Sequence, residues 1–356
     1  MNIAEVTLIG TGGYGESILV NLGLKNWIIV DSCINPETKY PLALEYLKDN
    51  GISFEDVKLI VCTHWHDDHI KGISKVFEEC INAKISFGKA HSPEKFLNYM
   101  SFDFQKGKIE RHNSSTYEFA KCVEILTQRN IPIVSAVENK CLYRVDYNGF
   151  RNKVFSLSPS DFTLEAFDTE IASLITKYGE TNKKWLIRSP NAKSVALYIK
   201  VGHHSIILGA DLEVSSHELE GWGNVVNNNN VIEGRSSLFK IPHHGSVNGF
   251  SEEVWSELLT VNAVAKMTPW NRGSGLPQPE MIKKYLEMTS ELYMVKEAES
   301  KKPKPRDKQL EKFMRKINPT IEEVKYKKGI IKCTIDIEDP DSNWKVDLIE
   351  NATKLK

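Results

Sequence analysis

The sequence predicts an α/β fold, and three observations carry the prediction. Short apolar runs of strand length recur along the chain, parted by segments of helical spacing and by Gly/Asn/Lys turns. One such run, Val57–Cys62, stops at the cluster Thr63-His64-Trp65-His66-Asp67-Asp68-His69. Two later runs stop at Asp211 and at His243-His244, and polar side chains gathered at strand ends are where α/β folds build their sites. With 356 residues, 41% hydrophobic and 9% aromatic, the chain can fill the core of one large two-layer domain with insertions.

The elements follow in order. Val6-Thr7-Leu8-Ile9, Ser17-Ile18-Leu19-Val20 and Trp27-Ile28-Ile29-Val30 read as strands of a hairpin meander. Helical spacing over residues 40–50 is stopped by Gly51. The buried-type strand Val57–Cys62 comes next, then the His/Asp cluster and a helix over 70–80. Residues 88–185 are less patterned, with a helix over 116–128 and strands over 131–137 and 153–157. Strands over 193–201 and 205–208 form a hairpin closed by Gly202-His203-His204. A helix over 213–219 and a loop over 221–230 lead to a strand at 238–241 and then Pro242-His243-His244-Gly245-Ser246. Helices are expected over 254–259 and 279–288, a polar, basic stretch over 300–316, and closing strands over 330–337 and 344–348. There is no internal repeat and no long low-complexity tract.

Composition narrows the class. The apolar runs fall well short of the about 20 residues a membrane span needs, and the first five residues lack the basic start and apolar centre of a secretion signal. Six cysteines, at 33, 62, 80, 122, 141 and 333, are scattered without a Cys-x-x-Cys pair. That pattern suits free thiols in a reducing compartment, so a cytoplasmic, non-membrane protein is expected. A formal net charge of −1 gives the whole molecule no nucleic-acid-binding field.

The chemistry sits in the clusters. His64 and His66, two apart in extended chain, point the same way, and Asp68 and His69 can turn inward as the chain enters its helix. Imidazoles with carboxylates are the usual ligand set for zinc, or for manganese or iron in altered geometry. A chance polar loop does not explain three imidazoles and two carboxylates in six residues. Asp211 follows Ile206-Ile207-Leu208-Gly209-Ala210; taken alone it could be a helix N-cap, but with the other two clusters it reads as a ligand. His243 and His244 complete the candidate metal set of His64, His66, Asp68, His69 and Asp211.

His64-x-His66-x-Asp68-His69 resembles the signature of the metallo-β-lactamase superfamily. Gly209-Ala210-Asp211 and Pro242-His243-His244-Gly245-Ser246 are similar to the branch that contains the hydrolase domain of the competence protein ComEC. The stretch Asn191-Ala192-Lys193-Ser194-Val195-Ala196-Leu197 is similar to the same branch. The resemblance spans about residues 6–290. It implies a four-layer αββα sandwich, with a hydrolase domain over 1–295, an insert at about 88–185, and a C-terminal extension over 296–356 whose strands pack on the same domain. It further implies two divalent metal ions: His64 and His66 on one, Asp68 and His69 on the other, and Asp211 between them. One of His243 and His244 completes the second site, and the His-Gly-Ser form of the motif favours His244. Many members carry another histidine between the first cluster and the bridging Asp. His91, His112, His203 and His204 lack the strand-end context, so Asn191 or Ser194 is expected at that corner.

Gly10-Thr11-Gly12-Gly13-Tyr14-Gly15 satisfies Gly-x-Gly-x-x-Gly with Asp31 downstream, but a strand pattern follows where a dinucleotide fold needs a helix. No dinucleotide cofactor is expected. The glycines read as a turn near the metal cleft, and Asp31 as support for a metal-binding histidine. The run Lys301-Lys302-Pro303-Lys304-Pro305-Arg306-Asp307-Lys308 reads first as a solvated linker and second as a phosphate-contacting segment.

The expected activity is that of a hydrolase using water activated by two metals. Asp68 orients the nucleophile, and His244, the spare histidine of the pair or Ser246 serves a phosphate oxygen or a leaving group. Phosphodiester bonds of nucleic acid are the first substrate choice. A small-molecule ester, lactone or cyclic nucleotide is the alternative. A third is a non-catalytic metal-binding subunit of a larger assembly, for instance one in phage defence, with the 88–185 insert as its protein-partner surface.

Overall fold

The computed structural model describes residues 2–11, 15–89, 115–130, 132–178, 190–271, 275–296 and 328–356. Within them, strands β1 (Ile3–Gly10), β2 (Glu16–Asn21) and β3 (Trp27–Val30) form the expected antiparallel meander. β4 (Val57–Cys62), β5 (Lys84–Gly88) and β6 (Ile133–Ala136) continue from β3 in parallel. β14 (Gly329–Asp336) joins the free edge of β1 and β15 (Lys345–Glu350) joins β14. The first sheet thus runs β15-β14-β1-β2-β3-β4-β5-β6.

The second sheet also has eight strands, β16-β13-β12-β11-β10-β9-β8-β7. They are β7 (Lys140–Tyr147), β8 (Phe150–Ser156), β9 (Leu197–Val201), β10 (His204–Leu208), β11 (Ser236–Lys240), β12 (Leu259–Met267), β13 (Leu292–Met294) and β16 (Thr353–Lys354). β10 through β13 are mutually parallel, so their C-terminal ends open on one edge.

Strand alternation sorts the side chains into three apolar layers. On β4, Leu59 and Val61 face the second sheet while Ile60 and Cys62 face helices. On β10, Ile206 and Leu208 face the first sheet and Ile207 faces outward. Helices α1 (Leu42–Asp49), α2 (Asp67–Ile70), α3 (Ile73–Glu79) and α4 (Ser115–Arg129) cover the first sheet. α6 (Gly221–Asn228) and α7 (Pro279–Met288) cover the second, through Trp222, Val225, Met281 and Tyr285. The result is the αββα sandwich, with α5 (Asp161–Tyr178) packing Leu164 and Phe167 near Val137. Among the described residues no helix is long and apolar enough to cross a membrane.

Several expectations need correction. The helix over 70–80 is two, broken at Gly72, whose φ of 81° and proximity to the Ile34 side chain (2.5 Å from an added Cβ) exclude other residues. No helix forms over 213–219, because Val214 pairs with Gly221 and donates its N–H to Asn248 O (2.7 Å). The helix lies in the expected loop instead, as α6, because Trp222 and Val225 are fully buried there. Residues 254–258 form a π turn rather than an α-helix, and β12 follows it directly. His91, His112 and the basic run from Lys301 to Lys308 lie outside the described residues.

Candidate metal centre

The parallel strands of both sheets end at one place. After β4, the Thr63 N–H and hydroxyl both donate to Asp31, at 2.8 and 2.7 Å, tying the loop to the end of β3. The short helix α2 then turns Asp68 and His69 inward, and both are buried. From the second sheet, the left-handed Ala210 (φ 45°) presents Asp211 beyond β10, and the left-handed His243 and His244 (φ 46° and 53°) leave β11.

Six of these side chains converge in two groups that share one carboxylate. Asp68, His69, Asp211 and His244 form the first group and His64, His66 and Asp211 the second, with ligand atoms in each within 4.8 Å of one another. His69 Nε2 lies 3.4 Å from Asp68 Oδ2 and 3.3 Å from Asp211 Oδ1. His244 Nε2 lies 3.0 Å from Asp68 Oδ2 and 4.0 Å from Asp211 Oδ2. His64 Nε2 lies 3.1 Å from His66 Nδ1 and 3.6 Å from Asp211 Oδ2.

The donor set and its wiring fit divalent metal. His69 Nε2 and Asp211 Oδ1 are buried and make no hydrogen bond, which is costly unless something else occupies their lone pairs. The opposite ring nitrogens are committed elsewhere: His69 Nδ1 donates to Asp31 Oδ2 (2.8 Å), His64 Nδ1 to Thr63 Oγ1 (3.0 Å) and His244 Nδ1 to Thr268 O (3.1 Å). Each assignment turns the opposite nitrogen toward the two donor groups, where a metal ion could bind it by displacing any proton it carries.

Charge argues the same way. Glu16, Asp31, Asp68 and Asp211 are all buried, and Lys240, which pairs with Glu16, is the buried ammonium among them. Burial would raise Asp211, yet the imidazoles of His69 and His64 hold it well below the usual carboxylate range. Burial would likewise lower His69, but the carboxylates of Asp211, Asp68 and Asp31 lift it well above an ordinary histidine. His66 is pushed down to about 4 by burial and by neighbouring His64, so it offers a neutral ring. Divalent cations would offset this excess of negative charge.

Other expected residues are placed differently. His243 belongs to neither group. Its Nδ1 donates to Glu213 Oε1 (2.9 Å) and lies 3.0 Å from Ser246 Oγ, while Asn191 Nδ2 donates to its Nε2 (3.2 Å). Their partners mark the split: the ring nitrogens of His243 meet Glu213 and Asn191, whereas those of His244 meet Thr268 O and Asp68. Asn191 also donates to Glu213 Oε1 (3.1 Å), and its Oδ1 is buried without a hydrogen bond. Ser194 is buried, donating its N–H to Asn191 O (3.0 Å), and is in neither group. His204 Nε2 donates to Asp339 O (2.9 Å), far along the opposite end of β10. Gly15 (φ 118°) abuts the backbone of Asp68, with no room there for a Cβ, and β2 follows it directly.

Sequence reasoning missed the supporting residues Glu16, Thr63, Glu213, Lys240 and Thr268. It also missed Trp65, which with Trp270 and Leu276 lines the open pocket of about 480 Å³ above His66, His243 and His244. Trp270 lies against His244 with ring centroids 5.5 Å apart and the rings tilted by 32°.

Comparison with known proteins agrees at the level of the family signature. Residues 10–109 match the model of the metallo-beta-lactamase superfamily. The chain is similar to the metallo-beta-lactamase fold protein YhfI from Bacillus subtilis, at 11% identity, TM-score 0.35, covering 74% of this chain and 80% of that one. It is also similar to a motif mutant of a metallo-beta-lactamase from Cronobacter sakazakii, at 13% identity, TM-score 0.31, covering 60% and 63% respectively. No curated protein matches the chain. The span matched by the family model contains the His64–His69 cluster.

Proposed function

We propose that this chain is a two-metal phosphodiesterase of the ComEC-like branch, acting on nucleic acid, with zinc as its metal. The observation that carries the metal half is the sharing of Asp211 between two donor groups, with His69 Nε2 and Asp211 Oδ1 left unpaired. Metals bound there would supply Lewis acidity and a water of lowered pKa. The protein's own groups do the rest. Asp68, between His69 and His244, binds and orients at the pocket floor. His243, which lines the pocket with Glu213 on its Nδ1 and Asn191 on its Nε2, is the group assigned to move a proton to a leaving oxygen. Trp65 and Trp270 line the pocket, and aromatic linings that suit stacked bases support the nucleic-acid half.

The net charge of −1 favours a second reading, hydrolysis of a small ester, lactone or cyclic nucleotide. Protein loaded with zinc or manganese should be assayed on single- and double-stranded DNA, RNA, bis-p-nitrophenyl phosphate and a lactone panel, with Asp211→Ala as control. Nucleic-acid cleavage absent in the control is the expected result. Turnover of small diesters or lactones alone would replace the first reading by the second, and inactivity with two metals bound would overturn both.

A further inference from the structure

We infer that Glu16 and Lys240 are positioning residues for the metal centre, acting on His244 through Thr268 and on Asp211 through Ala210. The inference rests on the metal reading above and deepens it. Glu16 opens β2 in the first sheet, Lys240 closes β11 in the second, and both are buried, at 1% and 0% exposure. One Glu16 oxygen, Oε1, pairs with the Lys240 ammonium, and the other, Oε2, accepts from the Thr268 hydroxyl. An ionised carboxylate only accepts and an ammonium only donates, so the direction of every bond in this chain is fixed. Thr268 has one hydroxyl hydrogen and gives it to Glu16. Toward His244 Nδ1, 3.3 Å away, its oxygen can then only accept, as does its carbonyl at 3.1 Å. His244 therefore carries a proton on Nδ1, and Nε2, 3.0 Å from Asp68 Oδ2, is the nitrogen a metal ion would take in exchange for any proton it shares with that carboxylate.

Lys240 has a second contact with the same consequence. Its Nζ donates to Ala210 O (3.1 Å), which also accepts the N–H of His243 (3.0 Å). Ala210 is the left-handed residue that turns Asp211 into the site. One ammonium thus holds the backbone before one ligand and, through Glu16 and Thr268, the tautomer of another. An apolar pair of the same size would do neither. An arrangement of the same logic stands on the other side, where Thr63 donates to Asp31 and can only accept from His64 Nδ1. The two sheets therefore meet at the metal centre through matched threonine–carboxylate relays, and only the Glu16 relay ends on a buried cation.

The test compares zinc binding, by competition with a chromophoric chelator, in the full-length wild type, Glu16→Gln, Glu16→Asp, Thr268→Val and Glu16→Gln/Lys240→Met. The histidine tautomers of the metal-free proteins are read by 15N NMR. The glutamine can donate to Thr268 and release its hydroxyl hydrogen toward His244, reversing the relay. Glu16→Gln and Thr268→Val should weaken one zinc about 10- to 100-fold and spare the other, with the His244 signal shifted in Glu16→Gln and Glu16→Asp restoring part of the affinity. Thr268→Val leaves the charge pair intact, so it reports positioning even if the charge variants fold poorly. Equal affinity for both zincs in Glu16→Gln and Thr268→Val would overturn the inference. So would loss of both zincs in parallel with melting temperature, the mark of a purely structural role. A wild type that binds no zinc would instead sink the metal reading itself.

Discussion

His243 and His244 are neighbours in sequence and strangers in the site. His244 faces Asp68 at 3.0 Å and lies against Trp270, whereas His243 is claimed by Glu213 at 2.9 Å and by Asn191. The two should separate experimentally. His244→Ala is expected to lose one metal. His243→Ala should keep both metals, yet slow turnover of diesters with a poor alkoxide leaving group by about 10²-fold or more, while p-nitrophenolate release, which needs no proton, is nearly unchanged. Metal analysis beside paired kinetics on the two leaving groups checks this, and loss of a metal in His243→Ala would refute the division. Glu213→Gln should follow His243→Ala in kinetics. The six candidate ligands were legible in the sequence because each lies in a short local motif at a strand end. Glu16, Lys240 and Thr268 were not, since their meaning lies in a contact across 252 positions of chain, and no local pattern distinguishes an inward polar strand residue from an outward one.

Among the elements, the strands that stop at the site were readable and those that merely complete the sheets were less so. β12 was missed because Lys266 and Asn262 break its apolar run, although Lys266 points inward and donates to Val6 O (2.8 Å). The β7–β8 hairpin carries a usable signal, Asn148-Gly149 with φ 47° and 81°, the pair that suits a two-residue turn. The expected helix over 213–219 failed because tertiary pairing outweighs local propensity there. The anchoring of α1 makes a prediction of its own. Its Tyr46 hydroxyl donates to buried Glu5 of β1 at 2.6 Å, and Glu5 also takes Thr7 and Lys332. Tyr46→Phe should cost about 1.5–3 kcal/mol, the scale for a bond to a charged group. Burial and then the Glu5 bond push the tyrosine up to about 12 from 10. A folded value above the unfolded one means the stabilisation is complete below pH 10 and fades as pH rises toward 12. Denaturant unfolding across that window should show wild type losing its advantage over Tyr46→Phe; a constant gap would disprove the coupling.

At the scale of the molecule, the site is a clasp between two sheets. His64, His66, Asp68 and His69 come from the first sheet and Asp211 and His244 from the second, so a metal held by both groups cross-links them. Beside it the sheets meet through an apolar interface and through two inward lysines, Lys240 on Glu16 and Lys266 on Val6 and Cys333. The unfolded chain keeps the 64–69 cluster together but not Asp211 or His244, so binding favours the folded state and each occupied site adds at most RT ln(1 + [metal]/Kd), about 2.7 kcal/mol at a hundredfold excess over Kd. Melting temperature should therefore climb with the logarithm of free zinc and fall on chelation. Asp211→Ala, which removes the carboxylate common to both groups, should flatten that climb almost entirely, whereas His66→Ala should roughly halve it. Calorimetry over a buffered zinc series distinguishes these slopes. A wild-type melting point indifferent to zinc would mean that the six side chains gather without holding a metal between the sheets.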